Sequence, residues 1–108
     1  MKREMNKELL LLQQALQSCI ENWKLDHDVA GYEAFIRTLQ LLERVIELYF
    51  DELENLEIIA IWINQLDSLI QNMDFIGVLD LLEYDLQPLV RKWIKESEVH
   101  DRKTEQPS

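Results

Sequence analysis

The stretch NLEIIAIWINQLDSLIQNM, Asn55 to Met73, decides the fold class. Its residues Leu56, Ile59, Ile63, Leu66, Ile70 and Met73 recur at alternating steps of three and four, the spacing that returns side chains to one face of an α-helix. Ile58, Ile61, Trp62 and Leu69 add apolar surface beside that stripe, and Trp62, which lies off it, is placed to line a second contact surface. The apolar run from Ile58 to Ile63 ends at Asn64, Gln65 and Asp67, far short of the about 20 apolar residues that cross a bilayer. A helix packed in a bundle is the reading these residues support.

The same period extends outward in both directions. Upstream, Met5, Leu9, Leu12, Leu16, Cys19 or Ile20, and Trp23 predict a first helix over 3–24. Leu9 to Leu12 are four consecutive leucines, which widen its apolar face and imply either burial on two sides or a patch for a partner. Leu25 to Asp28 reads as a turn in which Asp26 or Asp28 caps the next helix. A second helix follows over 28–53, with Gly31 in its first turn as a point of close packing. No Gly or Pro separates it from the third, so one continuous helix through Glu52–Asn55 is an alternative. Downstream, Asp74 is placed to cap a fourth helix over 75–98, and Pro88 predicts a kink or break near Tyr84–Gln87 because it removes a donor and clashes with the preceding turn. Val99 to Ser108 loses the period and is expected to be a frayed or disordered tail. The expected architecture is all-α, an antiparallel four-helix bundle forming a single domain over 1–98.

Composition agrees with that plan. The 108 residues are 47% hydrophobic and 30% charged with only 2 Gly and 2 Pro, too apolar for disorder and too poor in turn formers for many short strands. The net charge of −10 arises between Arg44 and Arg91, where there are ten carboxylates and no Lys or Arg. That sign disfavours direct binding to nucleic acid or to anionic membranes, both of which draw on clustered cations. The N-terminus reads as an amphipathic helix rather than a signal peptide, and the single cysteine, Cys19, suits a reducing compartment as a small buried residue, so a cytoplasmic location is expected.

No constellation for chemistry emerges. The histidines, His27 in a turn and His100 in the tail, are poorly placed to activate a nucleophile, and no Glu-x-x-His step of di-iron bundles occurs. Asp26-His27-Asp28 is contiguous, and consecutive side chains rarely converge on one ion. Gly31 and Gly77 alone form no phosphate-holding loop. No catalytic residue, metal site or cofactor is therefore expected, and the chain reads as a non-enzyme.

What remains is surface. Asp80, Glu83 and Tyr84 share one side of a helix with Asp85 flanking, and with Trp62 they form the expected partner-binding set: acids to receive a basic or helical segment, Tyr84 to offer a ring and a hydroxyl. Asp80-Leu81-Leu82-Glu83-Tyr84-Asp85-Leu86-Gln87-Pro88-Leu89, followed by Trp93, resembles the last part of small bacterial helical-bundle proteins of the flagellar secretion chaperone type. That resemblance implies holding a secreted helical partner along hydrophobic grooves. The expected function is protein–protein interaction, as adaptor, chaperone or regulator, through an apolar groove rimmed by acids. The alternatives are an acidic inhibitor that mimics nucleic acid and a purely self-associating structural protein, with a homodimer accounting for the broad apolar faces.

Overall fold

A computed structural model describes the backbone of residues 2–105 and the side chains of residues 4–98. Among the described residues every regular element is helical: α1 (Lys2–Lys24), α2 (Asp28–Tyr49), α3 (Leu56–Gln71), α4 (Phe75–Asp80), a π segment (Leu81–Leu86) and α5 (Gln87–Glu105). The last three run on without interruption as one rod. The fold is an all-α helical bundle.

The turns have definite chemistry. At the end of α1, Asp26 takes a left-handed conformation (φ 60°), His27 N–H donates to Asn22 O and Asp26 N–H to Trp23 O, the paired bonds of a Schellman cap. This corrects the expected capping aspartates: His27 is the N-cap of α2 and makes no side-chain cap bond, while Asp28 falls in the first helical turn, where its charge suits the helix dipole. The expected extension of α2 to Leu53 is also corrected. Glu52 and Leu53 turn their N–H groups back to Tyr49 O, Leu53 is buried, and Asn55 is left-handed (φ 65°), so α2 and α3 are separate helices. The Trp93 indole N–H donates to Glu54 O at 3.2 Å and holds that turn against α5. Asp74 does cap α4 as expected, its Oδ1 accepting Gly77 N–H at 3.0 Å.

Pro88 produces its distortion without ending the helix. The turn before it widens to π geometry, with Gln87 N–H donating to Leu82 O five residues back. A wider turn draws the Tyr84 carbonyl away from the proline ring that would otherwise strike it. The backbone remains helical to Glu105. The tail expected over 99–108 lies outside the residues whose side chains are described.

Burial follows α1. Leu9, Leu12, Leu16 and Cys19 are fully enclosed, as are Val45 of α2 and Leu82 and Val90 on the rod. Direction is readable from end contacts. Asn6 Nδ2 donates to Ser97 Oγ at 2.8 Å while Lys24 pairs with Glu83, and Arg44 bonds Glu8 at 3.1 Å while Trp23 stacks on Phe35 with ring centroids 5.4 Å apart. At those contacts α1 runs opposite to both α2 and the rod. Helix α3 is the exception to the enclosed core: Ile59 and Leu66 are its only buried residues, and it packs chiefly on α4. Ile63 and Met73 of the expected stripe are exposed, because only one narrow side of α3 meets the rest of the bundle.

Candidate functional site

The end of the bundle that holds the α1–α2 turn and the start of α4 carries a groove of 660 Å³. Trp23, Val29 and Tyr32 line one side of it, and Phe75, Ile76 and Leu79 line the other. Its existence follows from local choices in the sequence. Gly31 has no side chain, so the Trp23 ring packs directly against the first turn of α2, where a Cβ would overlap it. The αL residues Asp26 and Met73 then end α1 and α3 abruptly, which leaves the opening turns of α2 and α4 facing one another with little between them. Val29 and Ile76 are 75% and 77% exposed, and Phe75 and Tyr32 about half exposed, although each would bury favourably. A contiguous apolar surface of this kind marks an interaction site more often than a solvated helix face.

Asp26, Asp28 and Glu33 stand around the groove, and among the described residues none of them has a salt-bridge partner. Acidic charge from two separate stretches of the sequence meets at this end. Residues 20–34 and 66–86, which fold together here, carry nine carboxylates and one base, Lys24. Lys24 is itself engaged by Glu83: their hydrogen bond raises the ammonium pKa above its ordinary value and holds the Glu83 carboxyl below the usual range. The rest of the chain is nearly neutral.

The residues expected from sequence to form the site are divided by the fold. Asp80, Tyr84 and Asp85 do come together, lining a smaller groove of 450 Å³ with Gln65, Ser68 and Leu69 of α3. Tyr84 is 68% exposed there. Glu83 does not line that groove: it pairs with Lys24 on α1, with Tyr84 still near enough to help hold its carboxyl below the usual range. Trp62 is half-buried against the core and lines neither groove. The larger groove was missed because its walls come from the ends of three elements, Trp23, Val29–Tyr32 and Phe75–Leu79, that are distant in sequence. One signal was available: Val29, Tyr32, Phe75 and Ile76 are large apolar residues beside predicted turns, where polar residues are usual.

Among the described residues no three His, Cys, Asp or Glu side chains gather closely enough to hold a metal ion, and no helix is long and apolar enough to cross a membrane. Scans against protein-family models, curated proteins and solved structures each return no match.

Proposed function

We propose that the chain is a non-enzymatic, cytoplasmic interaction module, an adaptor, chaperone or regulator, that binds a protein partner in the groove between the α1–α2 turn and α4. The observation that carries this reading is the groove itself, an apolar floor of Trp23, Val29, Tyr32, Phe75 and Ile76 within a rim of carboxylates that have no ion-pair partner among the described residues. Burying a fully exposed Ile or Phe contributes about 1.5–3 kcal/mol, so covering Ile76 recovers most of that and covering Phe75 about half, set against the entropic cost of association. The acids surround an apolar surface instead of forming a regular row, which favours a protein ligand over mimicry of a nucleic-acid backbone. The flagellar-chaperone resemblance is compatible with this role but carries no residue of this groove.

The test compares wild-type chain with Ile76→Arg, an exposed position whose substitution leaves the core packing intact. Proteins retained from native lysate by the wild type and lost by the variant are expected. Retention of the same set by both overturns the reading. Charge reversal at Asp80 and Asp85 is a parallel arm: loss of partner there with Ile76→Arg unaffected moves the site to the smaller groove beside Tyr84. Displacement of the partner by duplex DNA identifies a nucleic-acid mimic instead.

A further inference from the structure

We infer that the segment bound in the larger groove is an amphipathic helix, its apolar side entering the groove and its flanking positions carrying lysine or arginine; this rests on the protein-binding reading above. The floor is short of apolar neighbours, as the exposure of Val29, Phe75 and Ile76 shows. The rim, at Asp26, Asp28 and Glu33, is short of cations, and Lys24, the one base in the surrounding stretches, is occupied by Glu83. A segment with cations beside its apolar anchors complements both features, whereas an acidic segment is repelled.

The conformation of the partner follows from the backbone of the groove walls. The walls are helical: the first-turn N–H groups of Asp28, Val29, Phe75 and Ile76 point along the helix axes without an intrahelical acceptor, and no wall offers the alternating row of donors and acceptors of a strand edge to which an extended segment could pair. A segment lying on such walls has to satisfy its own backbone groups, and a helix does so internally. A second copy of this chain fits less well. Apart from Lys24 and Arg37, its described bases (Lys7, Arg44, Arg91, Lys92 and Lys95) lie away from this end of the bundle, so docking them here joins copies head to tail, a contact that does not close as a dimer does.

The full chain, with labelled Ile, Leu and Val methyls, is titrated with three synthetic peptides of about four helical turns. One has leucines at i, i+3, i+4 and i+7 with lysines elsewhere, the second replaces the lysines by glutamates, and the third keeps the lysines but replaces the leucines by serines. The leucine–lysine peptide is expected to shift the Val29, Ile76 and Leu79 methyls, with an affinity at least about tenfold above the other two and falling as salt rises. Ile76→Arg is expected to weaken it by about tenfold while core methyl signals stay in place. Equal binding by the serine–lysine peptide reduces the site to a diffuse acidic surface, and equal binding by the leucine–glutamate peptide removes the cationic requirement; either overturns the inference. A solution mass that rises with concentration in the absence of peptide, and returns to monomer in Ile76→Arg, assigns the groove to a second copy and overturns it too. If all three peptides fail while Ile76→Arg still loses proteins from lysate, the cationic-helix assignment falls and the protein-binding reading stands.

Discussion

Gly31 and Trp23 decide the shape of the groove through the absence of one carbon. Gly31→Ala gains up to about 1 kcal/mol of helix propensity but places its Cβ inside the Trp23 ring, and overpacking of that kind costs about 1–3 kcal/mol. Net destabilisation of about 1–2 kcal/mol in urea unfolding is expected, together with a changed Trp23 environment by fluorescence. A stability gain would show that the ring moves freely. Cys19 makes the opposite point. Its thiol is fully enclosed and burial pushes its pKa up to about 12, so it is unreactive in the folded chain. Alkylation is expected to track unfolding as urea rises; fast labelling in buffer would reveal opening of α1 from its neighbours. The burial of Cys19 was legible from its place on the α1 stripe. The Trp23–Gly31 contact was legible only as a requirement for close packing, since the sequence names the glycine but not the ring that occupies its space.

Helix ends account for most of what differs from the sequence reading. Periodicity locates α1 and α3 to within a residue or two, because burial of a face is a summed property that one residue cannot overturn. Where a helix stops or starts depends on single backbone conformations: α1 and α3 stop at left-handed Asp26 and Met73, and α3 starts from left-handed Asn55, without any glycine to announce them. Met73 is the costliest of these, an unbranched but bulky residue that is 74% exposed and left-handed at the C-terminus of α3. Met73→Gly relieves about 1 kcal/mol of backbone strain and sacrifices little burial, so a thermal midpoint several degrees higher is expected by calorimetry. An unchanged or lower midpoint would mean that the greater freedom of glycine in the unfolded chain outweighs the relief. The π segment belongs at this scale as well. Pro88 announces a distortion, but whether the helix breaks or widens depends on neighbours: Leu81, Leu82 and Leu86 are buried, and holding them in the core keeps the rod continuous.

At the scale of the molecule, the Lys24–Glu83 pair ties the end of α1 to the π segment, and its pH dependence has a definite sign. Glu83 titrates below its ordinary range, so its contribution is present above that range and is lost as pH falls through the depressed value. Lys24 titrates above its ordinary range, so its contribution is present below that range and is lost as pH rises through the raised value. Wild type is therefore expected to exceed Glu83→Gln in urea stability at neutral pH, with the gap closing toward acid and again toward strong alkali; a gap constant through the acid limb would assign the difference to packing. The sequence by itself determined that the chain is helical, which residues of α1 form its buried stripe, and that the charge is lopsided, because these depend on composition and on a local period. Only the tertiary structure decided that Glu83 pairs with Lys24 outside the groove that Asp80, Tyr84 and Asp85 line, and that α3 keeps much of its apolar surface in solvent. It also brought Trp23, Val29, Tyr32, Phe75 and Ile76 around one acid-rimmed groove. The physical reason is that a helical period specifies which side of each helix is apolar, whereas a groove is a property of how ends of different helices meet, and that is set by the turns and by packing across long sequence separations.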